Sequence, residues 1–109
     1  MCIGLPLQVV ACGDGFAWCE ADDQREQLDM ALVGPQPVGT WVLAFHGAAR
    51  QVLGDVEAVR ARAGRQALAA VLSGEGQIDD FFADLVGRTP LLPPHLRPAA
   101  IGPADEAAR

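Results

Sequence analysis

Between Ile3 and Leu53 the chain alternates apolar and polar residues for a few positions at a time. Each run then stops at a glycine, a proline or a pair of acids. This punctuation constrains the fold more than any other feature. A period-two run sends successive side chains to opposite faces of a strand, and five such runs follow one another. Ile3 to Cys12 is the first, with Leu7, Val9 and Ala11 on one face and Gln8, Val10 and Cys12 on the other. Gly13-Asp14-Gly15 is a hairpin signal. Phe16 to Ala21 follows, with Phe16 and Trp18 sharing a face opposite Ala17 and Cys19. After the polar turn Asp22-Asp23-Gln24, Arg25 to Leu32 sets Leu28, Met30 and Leu32 inward. A helix over the same residues would be unusually short. Val33-Gly34-Pro35-Gln36-Pro37 excludes regular structure, because two prolines flank one residue. Val38-Gly39 then turns into the strongest strand, Thr40 to His46, where Trp41, Leu43 and Phe45 alternate with Val42, Ala44 and His46. Gly47 permits a bulge or a close backbone approach, and Ala48 to Leu53 is the last strand.

Five short, evenly spaced strands with glycine at the bends predict a mainly β fold, a small OB-like five-stranded barrel over residues 1–53. Closure also removes exposed strand edges. The aromatic residues Phe16, Trp18, Trp41 and Phe45 are expected in its core. At Asp55, the expected N-cap, the period changes. Val56, Val59, Ala63, Ala67, Ala70 and Val71 recur at helical spacing, widened by Leu68 and Leu72, until Ser73-Gly74-Glu75-Gly76 ends the helix. Ile78 to Val86 is expected to form a second short helix, so residues 54–88 carry one or two C-terminal helices packed on the barrel. Residues 89–109 contain Pro90, Pro93, Pro94, Pro98 and Pro103. They read as an extended tail or, through Leu91, Leu92, Leu96 and Ile101, as a docking strand.

The net charge of −6 opposes sequence-blind binding to nucleic acid, which needs cations on phosphates, and opposes docking on an anionic membrane. All eight cations are arginine. No secretory signal or membrane span is expected, so the chain reads as cytoplasmic with reduced thiols. Its three cysteines show no zinc spacing. Cys12 and Cys19 are expected to serve as small hydrophobes. Glu20, Asp22 and Asp23 read as a solvated acidic turn, and His95 lies in the tail. No nucleophile triad, phosphate loop or paired metal motif is present, so no enzyme activity is expected.

The opening Met1-Cys2-Ile3-Gly4-Leu5-Pro6 is chemically unusual. Methionine aminopeptidases remove Met before a small residue, which would leave Cys2 with a free α-amine and a thiol. A neighbouring ammonium favours thiolate. Gly4 allows close backbone approach, and Pro6 stiffens the segment. Cys2 is then a terminal soft ligand or nucleophile, or simply a small apolar residue after the start.

This hexamer resembles the opening of the HypC/HupF family of NiFe-hydrogenase maturation chaperones. Leu32-Val33-Gly34, Val38-Gly39-Thr40-Trp41-Val42-Leu43 and Gly47-Ala48-Ala49 agree in order and spacing. The resemblance spans roughly residues 1 to 73 and is nearest the HupF/HoxL-like branch. It implies that Cys2, after Met1 removal, holds an Fe(CN)2CO unit through its thiolate, as soft sulfur suits such an iron. It implies two partners, a HypD-type iron–sulfur scaffold protein and the hydrogenase large-subunit precursor. It also implies a partner-binding surface at Ile3, Gly4, Leu5, Pro6, Phe45 and Gly47. Family members often carry a His-x-Gly arrangement on this strand, but here Phe45 holds that place and His46 directly precedes Gly47. A one-residue step reverses the face of a strand, so the family role does not transfer directly to His46, which stays a second metal-ligand candidate. The alternative is a shielding or adaptor module that binds no metal.

Overall fold

The computed structural model describes residues 3–22 and 24–99. Five strands, β1 (Leu5–Cys12), β2 (Phe16–Ala21), β3 (Gln24–Asp29), β4 (Trp41–Phe45) and β5 (Ala48–Leu53), close into a barrel in the order β1-β2-β3-β5-β4. The mainly β, OB-like barrel expected from the strand punctuation is therefore what the chain forms. Antiparallel pairing joins β1 to β2 and β4, β2 to β3, and β4 to β5. The last seam is parallel and consists of Asp29 opposite Ala48. The Asp29 N–H also donates to the Gly47 carbonyl at 2.9 Å.

The barrel encloses its smaller side chains. Leu7, Val9, Ala17, Cys19, Leu28, Met30, Val42, Ala44 and Ala49 form the buried cluster. Phe16, Trp18, Trp41 and Phe45, expected in the core, stand half-buried on the outer wall. Strand alternation fixes this: once Ala17, Cys19, Val42 and Ala44 face in, their neighbours must face out. The eight-residue β1 carries a bulge between Val9 and Ala11, which interrupts its alternation. Leu7 and Val9 are consequently buried while Ala11 is only half-buried. Arginine guanidinium groups cover part of the aromatic wall, Arg25 5.0 Å from the Trp18 ring and Arg62 5.1 Å from the Trp41 ring. In the acidic turn, solvent-facing as expected, Glu20 pairs with Arg25 at 3.4 Å and Asp22 with Arg62 at 3.8 Å, while Asp23 lies outside the described residues.

β3 ends earlier than its apolar period suggests. Met30 stays buried, but Leu32 is 65% exposed, because the chain turns at residues 31–33 with the Gly34 N–H donating to the Met30 carbonyl at 2.7 Å. Val33 packs on the core from this turn, so the β3–β4 connection covers one end of the barrel. β4 and β5 meet at the opposite end through the two-residue turn His46-Gly47. Both residues have positive φ, 51° and 72°, as the hairpin turn whose twist matches the strands requires.

α1 (Asp55–Leu72) follows directly. Its N-cap is Gly54, not Asp55, and no side chain caps it; Asp55 instead sits in the first turn, where a carboxylate suits the helix dipole. The buried residues of α1 are Ala58 and Ala67. Nine positions at about 3.6 residues per turn put them on opposite sides of the helix. The Ala58 side, with Arg62, Arg65 and Ala69, faces Pro6, Leu7 and Ala21 of the barrel. The valine stripe faces away from it: Val56, Val59 and Ala63 line a groove shared with Phe81 and Asp84, and Arg60 bonds Asp84 at 3.1 Å. The second helix expected over 78–86 is only a 3-10 turn, Asp79–Phe82. So short a segment cannot repay helix nucleation. The tail, as far as residue 99, holds one further 3-10 turn, Pro94–Leu96.

Two expectations follow. Gly47→Val should destabilise the protein by about 1–2 kcal/mol, the cost of a left-handed residue with a Cβ, whereas His46→Asn should shift stability by under about 0.5 kcal/mol, since Asn tolerates that region; urea denaturation midpoints check both. Burial, and then the nearby Cys12 and Glu26 charges, push the Cys19 thiol from 9.0 to about 11. Between those pH values the unfolded chain loses a proton that the native protein keeps, so stability falls as pH rises through the window. Unfolding midpoints from pH 9 to pH 11 should drop more steeply in the wild type than in Cys19→Ala.

Candidate functional site

The barrel end opposite the covering loop holds a cavity of about 80 Å³, lined by Ile3, Leu5, Glu26, Ala44, Phe45 and His46. Three strands and the β4–β5 turn meet there, so the lining residues are remote in sequence. Leu5 pairs with Ala44 and Pro6 with Leu43, which lays the N-terminal segment along the outside of β4. Gly4 makes this possible. A Cβ at that position would come within 2.6 Å of the Leu43 Cγ, so any larger residue must lift the segment or displace Leu43. Pro6 is buried, Leu5 and Gly4 are half-buried, and Ile3 is 42% exposed at the rim. The segment thus rises from a fixed base to an open edge. Cys2 lies outside the described residues.

His46 is not a strand residue. β4 ends at Phe45, and His46 occupies the first central position of the hairpin turn, exposed. Strand parity therefore does not decide where its ring goes. The imidazole stands edge-on to the Phe45 ring, 4.3 Å between centroids at 88°. Gly47 beside it is exposed, and its carbonyl is held by the β3 bond described above. The turn is a fixed ledge beside Ile3.

Two charged residues at this end were not singled out from the sequence. The β4–β5 register shifts between Leu43 and Ala44, which pair with Gln51 and Ala49, so Arg50 is the extra residue of a bulge. Bulges re-aim side chains. Here Arg50 folds back so that Nε donates to the Phe45 carbonyl at 3.1 Å and the guanidinium lies 5.9 Å from the Phe45 ring. Nothing in the local sequence signals that bulge. Glu26 is different. It shares the inward parity of Leu28 and Met30, and an acid on the apolar face of a strand is a legible anomaly. It is half-buried and directly opposite Cys19.

Among the described residues, no group of three or more His, Cys, Asp or Glu could hold a metal ion. The other two thiols are placed differently. Cys19 is in the core, its high pKa keeping it a protonated thiol. Cys12 is exposed rather than packed as a hydrophobe, its Sγ donating to the Gln36 carbonyl at 3.2 Å. Trp41 lies outside this end, under α1, and His95 is exposed in the tail. Among the described residues no helix is long and apolar enough to cross a membrane.

The HupF/HypC family model matches residues 1–64, a span containing the whole barrel and its mouth. The hydrogenase expression/formation protein HupN of Azotobacter chroococcum mcd 1 is 45% identical over 98 residues, 89% of this chain and 90% of the relative. HoxL of Azotobacter vinelandii is 43% identical over 98 residues, 89% and 92% of the two chains. HupF of Rhizobium leguminosarum bv. viciae is 44% identical over 99 residues, 89% and 98%. Both are likewise hydrogenase expression/formation proteins.

Proposed function

This chain belongs to the HupF/HypC family, and from that premise we propose that it carries an Fe(CN)2CO unit on Cys2 and hands it to the large-subunit precursor of a NiFe-hydrogenase. The reading rests on family membership together with one geometric observation. Ile3 is seated at the barrel mouth beside Phe45 and His46, and Cys2 is its covalent neighbour, one Cα step of about 3.8 Å away.

Each part of the mouth has a task in this mechanism. Removal of Met1 leaves Cys2 with an ammonium next to its thiol, which favours the thiolate that binds low-spin iron. A terminal ligand brings little backbone with it, so the cargo can enter a partner's cleft. Buried Pro6 and the Gly4–Leu43 contact fix the base of the segment. Ile3, Leu5, Phe45 and Gly47 then offer a mixed, half-exposed ledge for protein contact, and His46 is placed to approach the cargo or the partner. A HypD-type scaffold would share the iron first and the hydrogenase precursor would receive it. The barrel positions and releases; it catalyses nothing in this scheme. A thiolate kept free for iron calls for a reducing compartment, the cytoplasm.

Cys2→Ala should abolish hydrogenase maturation and leave the urea midpoint unchanged. Infrared spectra of protein purified from maturing cells should show cyanide and carbonyl stretching bands in the wild type that vanish in the variant. Wild-type protein that binds its partners tightly but shows no such bands would instead be a shield or adaptor without metal. Intact-mass spectrometry should find Met1 removed; retention of Met1 contradicts a free Cys2 terminus.

A further inference from the structure

The valine side of α1 carries a groove that the barrel does not use. Val56, Val59 and Ala63 form its floor with Phe81, in a recess of about 520 Å³. Val56 and Val59 are 63% and 64% exposed, so the 3-10 turn Asp79–Phe82 covers them only in part. The rim is acidic. Asp55, Asp80 and Asp84 line it against one cation, Arg60, which is already bonded to Asp84 at 3.1 Å. A contiguous apolar floor inside a polar rim marks a protein contact. The rim charge specifies a visitor with aliphatic side chains and its own cations.

The same chain carries such a visitor. Residues 85–99 contain Arg88, His95 and Arg97 and no acid, although the whole chain has a net charge of −6. Leu91, Leu92 and Leu96 lie among these cations, and every residue from 83 to 99 is exposed. The three leucines therefore stand clear of the chain's own core. Arg97 Nε donates to the Leu92 carbonyl at 2.7 Å across the 3-10 turn Pro94–Leu96, which gathers the stretch into a knuckle. Its own groove is out of reach. The Leu85 and Val86 N–H groups donate to the Phe82 carbonyl and that of Arg88 to the Leu85 carbonyl, so the chain leaves the groove in a closed turn. Only Thr89 and Pro90 then precede Leu91, and Pro90 has a fixed φ. Two residues cannot reverse that path.

We propose that residues 88–97 of one molecule seat in the α1 groove of a second copy, leucines on the valine floor and arginines toward Asp55 and Asp80. The second copy returns its own segment. The exchange is isologous, so one two-fold axis pairs two arms with two grooves and closes the assembly at a dimer. One seated arm is small beside a stable interface; two double the buried area and give a weak, concentration-dependent dimer. The groove shares no lining residue with the barrel mouth, so the inference stands apart from the carrier reading.

Sedimentation equilibrium of the full-length protein over a concentration series tests it. The average mass should rise from monomer toward dimer with concentration. Raising salt from about 0.05 M to about 0.5 M should weaken the association, because the matched charges are exposed and screened. Leu91→Asp with Leu92→Asp on the arm, and Val59→Asp in the groove, should each raise the dimer dissociation constant about tenfold or more. All three positions are exposed, and circular dichroism checks that the fold is kept. The deciding sample is an equimolar mixture of the two variants. One keeps a sound groove and the other a sound arm, so the mixture should associate more tightly than either variant alone. If the groove variant does not fold, the arm variant and the salt series still decide. A protein that stays monomeric up to about 1 mM overturns the proposal. So does a dimer that both variants leave intact, or a mixture no tighter than its components.

Discussion

The barrel depends on its narrowest seam. Four of the five strand junctions are antiparallel ladders of four or more residue pairs, but β3 and β5 meet in parallel at Asp29 and Ala48 alone. The bond from the Asp29 N–H to the Gly47 carbonyl extends that seam into the β4–β5 turn. In that turn His46 and Gly47 both have positive φ. A two-residue turn with the right twist is thus what closes the sheet on itself. The same turn makes the rim of the open end, so closure and site share one piece of backbone.

Size distribution follows from closure. A barrel of five strands has little interior, and this one fills it with Leu, Val, Ala, Met and one Cys. The four large aromatics of the strands are left on the outer wall, where Arg25, Arg50 and Arg62 partly cover three of them. Guanidinium groups suit this use because they stack on rings while still donating hydrogen bonds. α1 follows the same economy. Its barrel-facing side is mostly alanine and arginine, and its valines lean on the 3-10 turn instead.

The mouth is a rigid frame around a terminus. Buried Pro6, the Gly4 approach to Leu43 and the Leu5–Ala44 pair fix the start of β1. Phe45, the hairpin turn and the bulged Arg50 fix the facing edge. Ile3 lies between them. The carrier reading proposed above would use this frame to hold the base of the segment. The family to which the chain belongs, with relatives that are hydrogenase expression/formation proteins, gives that frame its context.

Much of this was legible in the residues themselves. Period-two runs and the glycines between them marked five strands and their turns, because alternation and positive-φ positions are local properties. The opening hexamer carried the family likeness for the same reason: a motif is a property of neighbouring residues before the chain folds. What the chain could not declare was anything that depends on pairing across it. Period two says that Trp41 and Val42 face opposite ways, but only closure decides that Val42 is inside. The end of β4, which puts His46 in a turn and not on a strand face, comes with the pairing of Phe45 and Ala48 across the β4–β5 hairpin. The bulge that frees Arg50 is a mismatch between two strands and belongs to neither alone. The valine stripe of α1 was visible, but its partner was not, since helical spacing defines a face and not what lies against it. Glu26 shows the boundary most clearly. Its inward parity could be read from Leu28 and Met30, whereas its meeting with Ile3 and His46 exists only because the sheet curls round and brings three distant segments to one rim.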